Sequence, residues 1–173
     1  MGSQCGPDLA TVAEPRLGAH MSYATIAVGT DGSESSLRAV ERAAELSAES
    51  GASLVVVCAY HPMTSREQAM VTAAVGDARF RVTGSEAAAQ ALQAAADHAR
   101  AAGAARVDSR LVEGDAVEAM LSLSNELSLE LLVVGNRGIN TLSGRLLGSV
   151  ASDLSQRAPC DVLIVHTTSG GRS

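Results

Sequence analysis

The chain has 173 residues, 46% of them hydrophobic, and a formal net charge of −6. That is enough for one domain with a real core, and no basic run is long enough to neutralise several phosphates, so a nucleic-acid partner is disfavoured. The 13 Lys and Arg residues are all arginine, which excludes Schiff-base chemistry and a P-loop lysine, and with only Tyr23, Tyr60 and Phe80 as aromatics the core must be aliphatic.

Residues 1–20 carry Gly6, Pro7, Pro15 and Gly18 with no sustained period and read as a non-core extension. Residues 21–168 read as the folded domain and 169–173 as a mobile tail. A strand is expected over 24–29, followed by a helix over 33–50 with Ser33 as N-cap. Leu37, Val40, Ala44 and Ala48 mark its apolar face, and Gly51 stands where a helix end requires φ > 0. A second strand spans 53–59. Residues 60–84 show no clean period and read as a long connection with a helical turn or more.

An Ala-rich helix is expected over 85–102, ending at Gly103, and leads to a strand over 107–112. Asp115 followed by Glu118 has the spacing of a capping box and opens a helix through Leu127. A fourth strand covers 129–134. A last helix over 149–156 precedes Pro159, and the fifth strand runs over 161–166. Continuous aliphatic strands alternating with helices predict a doubly wound parallel sheet, in which ligands bind beyond the carboxyl ends of the strands.

Directly after the fourth strand the chain reads GNRGINTLSGRLLGS, placing Gly135, Gly138 and Gly148 at the spacing G-x2-G-x9-G-S with Ser149 at the end. Glycines there let the backbone take φ > 0 and approach a ligand with no Cβ in the way, and the following helix N-terminus favours an anion. The alternative is a glycine-rich turn leading into a capped helix.

This stretch, together with VGTDGS after the first strand, RLLGSV and APCDVLIV, resembles the universal stress protein family from Tyr23 to His166. The resemblance implies a five-stranded sheet ordered 3-2-1-4-5, of the adenine nucleotide alpha hydrolase-like type. It also implies an adenine nucleotide, ATP or else cyclic AMP or AMP, with phosphates held by Gly135, Asn136, Arg137, Gly138, Gly148, Ser149 and Val150. Arg145 is a further source of positive charge. Thr30, Asp31 and Gly32 would lie opposite, with Asp31 meeting the ribose or a Mg²⁺ ion carried by the nucleotide; the alternative is that Asp31 only ties its own turn. Ala59 and Tyr60 stand where the family reads adenine through backbone groups.

GxxxxGK[ST] and GxGxxG are both absent, so neither a P-loop NTPase nor a dinucleotide fold is supported. His61, His98 and His166 are scattered, and Cys5, Cys58 and Cys160 lack metal or redox spacing. The expected function is a binding and signalling module of the stress response, with hydrolysis absent or slow. A slow Mg-dependent nucleotide hydrolase and flavodoxin-like electron transfer are the rivals, the latter disfavoured by the few aromatics. A cytoplasmic protein with no membrane span is expected. The fifth strand, as the family's edge strand, implies a homodimer through residues 162–166.

Overall fold

The computed structural model describes residues 22–62, 84–136 and 147–167. Five strands, β1 (Thr25–Gly29), β2 (Ser53–Tyr60), β3 (Val107–Glu113), β4 (Leu131–Gly135) and β5 (Asp161–Val165), alternate with helices α1 (Glu34–Ser50), α2 (Gly84–Ala101), α3 (Ala116–Glu126) and α4 (Ser149–Arg157). All pairings are parallel and the sheet order is β3-β2-β1-β4-β5. This is the expected doubly wound fold. The connection at 63–83, including the helical turn anticipated there, and the two tails at 1–20 and 169–173 lie outside the described residues.

Strand periodicity divides the core in two. Ile26 and Val28 of β1 point with Leu54, Val56, Leu131 and Val133 toward Val40, Ala43 and Ala44 of α1 and Leu92, Ala95 and Ala99 of α2. Ala27, with Val55, Val57, Leu132 and Val134, points the other way, toward Val117, Met120 and Leu123 of α3 and Ala151 and Leu154 of α4. Successive strand residues face opposite sides, so a sheet buried on both faces must be apolar throughout, as β2 and β4 are.

Helix termini follow their local chemistry. Ser33 caps α1 by accepting from the Ser36 N–H, and Gly51 ends it at φ 71°. The buried stripe of α1 runs through Ser36, Ala39, Val40, Ala43, Ala44 and Ser47, whereas Leu37 is half-buried and Ala48 exposed. The apolar pattern misplaces this face because Ser36 and Ser47 are buried with their hydroxyls satisfied, Ser47 by the Ala52 carbonyl at 2.9 Å. Asp115 caps α3 by accepting from the N–H groups of Val117 and Glu118. Instead of reaching back as a capping box would, the Glu118 carboxylate accepts from Arg157 of α4 at 2.8 Å. β4 begins at Leu131, two residues later than the aliphatic run predicts, because Ser128 takes φ 50° and Leu129 N–H bonds back to Ser124.

Among the described residues no helix is long and apolar enough to cross a membrane.

Candidate functional site

The site lies where the winding reverses, at the carboxyl ends of β1 and β4. β1 pairs with β2 as far as Gly29↔Val57, but with β4 only as far as Val28↔Val133. β4 meanwhile continues beside β5 to Gly135↔Val165. Both neighbours therefore extend past β1, and the sheet opens above its end.

The direction of the main-chain groups around this opening follows from hydrogen bonds on either side. Thr30 N–H donates to the Val57 carbonyl, so Val57 faces β1, while Gly114 N–H donates to the Tyr60 carbonyl, so Tyr60 faces β3. Neighbouring residues of a strand turn their backbone groups to opposite edges. Ala59 accordingly directs its N–H and C=O to the β1 side, beyond the last β1 pairing. The same reasoning holds on the other flank. Asn136 N–H donates to the Val165 carbonyl on β5, so Gly135 turns its backbone toward β1. Main chain from Ala59 and Gly135 thus turns toward the end of β1, where the Ala59 carbonyl also accepts from the Cys58 thiol at 3.9 Å, whereas the Tyr60 carbonyl is engaged by β3.

The turn after β1 is internally braced. Thr30 is buried, and its hydroxyl pairs with Ser36 Oγ at 2.9 Å and accepts from the Gly32 N–H at 3.2 Å. Its side chain points into the turn, which leaves main chain on the open side. Asp31 is exposed, and its Oδ1 accepts from the Ser33 N–H at 3.0 Å and the Ser33 hydroxyl at 2.6 Å. One carboxylate oxygen therefore ties the turn. The negative charge of Asp31 also reaches Cys58 near the end of β2, whose thiol pKa is raised first by burial and then by that charge. Gly32 sits at φ 78° against α2.

On the far side stands the start of α4. Gly148 N–H donates to the Asn136 carbonyl at 2.9 Å, closing the connection between β4 and α4, and the Gly148 carbonyl accepts from Ser152 at 2.9 Å to begin the helix. Its N-cap residue, Gly148, supplies no side-chain hydrogen bond, in contrast to Ser33 of α1 and Asp115 of α3. Among the described residues the amides of Ser149 and Val150 thus lack the N-cap oxygen that Ser33 and Asp115 supply elsewhere, and the positive end of α4 favours an anion. Leu147 and Val150 stand exposed beside it.

Gly135 and Gly148 do not take positive φ. Gly148 adopts φ −62° and ψ 152°, and the described glycines with positive φ are Gly32, Gly51, Gly103 and Gly114. Of the two reasons expected for glycine in this loop, conformational freedom does not operate at these two positions, and only the missing Cβ remains.

Asn136 is held on several sides. Besides its two backbone bonds, its Oδ1 accepts from the N–H of Thr167 at 2.8 Å and from the Thr167 hydroxyl at 2.9 Å. Arg137, Gly138 and Arg145 lie outside the described residues. Sequence reasoning missed Thr167, which lies just past the last strand in a stretch with no recognisable pattern. Among the described residues no three His, Cys, Asp or Glu side chains gather as a metal site, and Cys58 and Cys160 are free thiols.

A doubly wound parallel sheet with α4 starting beside its switch point defines a protein of the open α/β class, in which ligands bind beyond the carboxyl ends of the strands. The universal stress protein family model matches residues 22–166, and the chain belongs to that family. Universal stress protein Rv1636 of Mycobacterium tuberculosis is 46% identical over 147 residues, covering 85% of this chain and 99% of that relative. A crystal structure of a universal stress protein in complex with cAMP superposes with a TM-score of 0.63 at 41% identity, covering 85% of this chain and 99% of the other. The universal stress protein UspA from Lactobacillus plantarum shares the fold, with a TM-score of 0.67 at 19% identity, over 83% of this chain and 98% of its own.

Proposed function

We propose that this protein is an adenine-nucleotide-binding module, holding the phosphate at the first amides of α4 and the adenine at the backbone of Ala59. The observation that carries the reading is the start of α4: Ser33 and Asp115 give the first amides of α1 and α3 a side-chain oxygen, whereas α4 starts on Gly148, which has none to give. Ser149 adds a hydroxyl donor, and the absence of a Cβ at Gly148 lets phosphate oxygens approach. Asn136, Arg137 and Gly138 extend the cradle in this reading. Asp31 directs its carboxylate, with Thr30 and Gly32 main chain, toward the ribose or a nucleotide-borne Mg²⁺.

Two ligands are favoured by different observations. The G-x2-G-x9-G-S loop, long enough to surround several phosphates, favours ATP. The cAMP complex of a relative 41% identical to this chain favours cyclic AMP. The module acts in the cytoplasm by changing conformation or partners on binding, and any hydrolysis is slow, in keeping with a sequence that lacks the GxxxxGK[ST] pattern of fast NTPases. It assembles as a homodimer through residues 162–166, where β5 has no partner on its outer edge among the described residues.

The test is to denature freshly purified protein, identify any released nucleotide, and titrate ATP, AMP and cyclic AMP by calorimetry with and without Mg²⁺. Binding of an adenine nucleotide that competes with the others is expected. No binding of any of them, or steady-state hydrolysis above about 1 s⁻¹, overturns the reading.

A further inference from the structure

We infer that Thr167 and Asn136 are positioning residues: together they fix the first amides of α4 against the end of β4, and thereby set affinity for the nucleotide's phosphate while Thr167 touches no ligand. The inference rests on the nucleotide reading of the crevice.

Asn136 is the first residue beyond β4, and its carbonyl receives the N–H of Gly148, the residue from which α4 starts. The orientation of that carbonyl decides where the helix begins. The Asn136 side chain is in turn fastened by two bonds from a residue 31 positions away, Thr167, whose N–H and hydroxyl both donate to Oδ1. Thr167 is itself only 4% exposed, and its carbonyl accepts from Arg38 Nη1 of α1 at 2.6 Å. A continuous line of hydrogen bonds therefore runs from α1 through Thr167 and Asn136 to Gly148 and α4, crossing the carboxyl end of β4.

Closing the β4–α4 connection requires only the main chain of Asn136. The side-chain clamp adds order at the one place where ligand-facing amides have to be held. Without it the helix start samples other positions, and a phosphate has to restore the order on binding, which weakens affinity. Adenosine, which lacks the phosphate, makes no use of those amides and is insensitive to the clamp.

The experiment compares T167V, T167S, N136A and the T167V/N136A double variant with the full-length wild-type chain. Amide hydrogen exchange at Gly148 is followed by NMR, and dissociation constants for ATP, cyclic AMP and adenosine are measured by calorimetry. Loss of one net hydrogen bond corresponds to an effect of roughly fivefold. T167V is expected to speed Gly148 exchange and to weaken the phosphate-bearing ligand by about that factor, with adenosine unchanged. T167S, which keeps the hydroxyl, restores both. T167V adds nothing further in the N136A background, because Thr167 acts through Asn136. Unchanged Gly148 exchange in T167V, or equal weakening of adenosine and ATP, overturns the inference. If the wild-type chain binds none of the three, the nucleotide reading and the affinity role fall together, and Gly148 exchange alone still decides whether the clamp holds the helix start.

Discussion

Gly32 and Ala91 stand so close that a Cβ built on Gly32 would lie 2.8 Å from the Ala91 Cβ. The turn after β1 is thus packed directly against α2, and Gly32 is required there twice over, by space and by its φ of 78°. G32A is expected to lose roughly 1–3 kcal/mol from overlap and about 1 kcal/mol from the left-handed backbone. A91G should return the first part but not the second. Chemical denaturation of the two single variants and the double variant checks this, and strictly additive losses would show that the two residues do not meet.

Gly148 sits at an ordinary backbone conformation, so a side chain there forces no unusual φ. G148V is expected to keep its circular dichroism spectrum, lose at most about 1 kcal/mol for the altered N-cap position, and bind ATP or cyclic AMP at least tenfold more weakly by calorimetry. Undiminished affinity would remove the α4 amides from the site.

Asp31 has two roles to separate, because one oxygen ties Ser33 while the charge faces outward. D31N keeps an acceptor for Ser33 and removes the charge. Its stability is expected to change by less than about 0.5 kcal/mol, while any strengthening of ATP binding by Mg²⁺ disappears. A Mg²⁺ effect that survives in D31N assigns Asp31 to the turn alone.

The edge of β5 offers a test of assembly that leaves the sheet intact. Asp161 N–H donates to the Glu130 carbonyl and the Val165 carbonyl accepts from Asn136, so odd-numbered residues of β5 bond to β4 and even-numbered ones point their amides outward. V162P removes an outward donor and trims a side chain packed against the α3–α4 core, but leaves the β4–β5 bonds in place, and an edge strand tolerates proline there. Sedimentation is expected to show a dimer for the wild-type chain and a monomer for V162P at micromolar concentration. A wild-type species of 17.6 kDa alone would refute the dimer.

Burial raises the pKa of the Cys58 thiol, with Asp31 adding to it, and burial likewise raises that of Cys160, where hydrogen bonding with Ser124 opposes the shift. The unfolded chain then loses these protons first, from about pH 9 upward. Stability from this source is complete below that pH and declines as pH rises through the folded values. Thermal denaturation between pH 7 and 10 is expected to fall less steeply above pH 9 in C58A/C160A than in the wild type, although the variant starts lower because Cys58 packs in the core. Parallel curves would show that the thiols ionise alike in both states.

Much of this architecture was readable from local chemistry. Ser33, Asp115 and Gly51 mark helix ends because capping depends on neighbours within a turn. The aliphatic runs of β2 and β4 mark central strands because both faces of a doubly wound sheet are covered. Burial of Ser36 and Ser47 was not readable, since a hydroxyl becomes compatible with the core only when a partner such as Ala52 is supplied by the folded chain. Nor was the partner of Glu118, which belongs to a helix 39 residues away.

The order of strands and helices, and the placing of a glycine-rich stretch just before α4, were set by the amino-acid pattern alone, because periodicity and glycine content act over a few residues. Only the folded chain decided that Gly135 and Ala59 turn their backbones over β1, that Gly148 takes an ordinary φ, and that Thr167 grips Asn136. Those facts depend on strand register and on contacts between segments far apart in the chain, which no local pattern encodes.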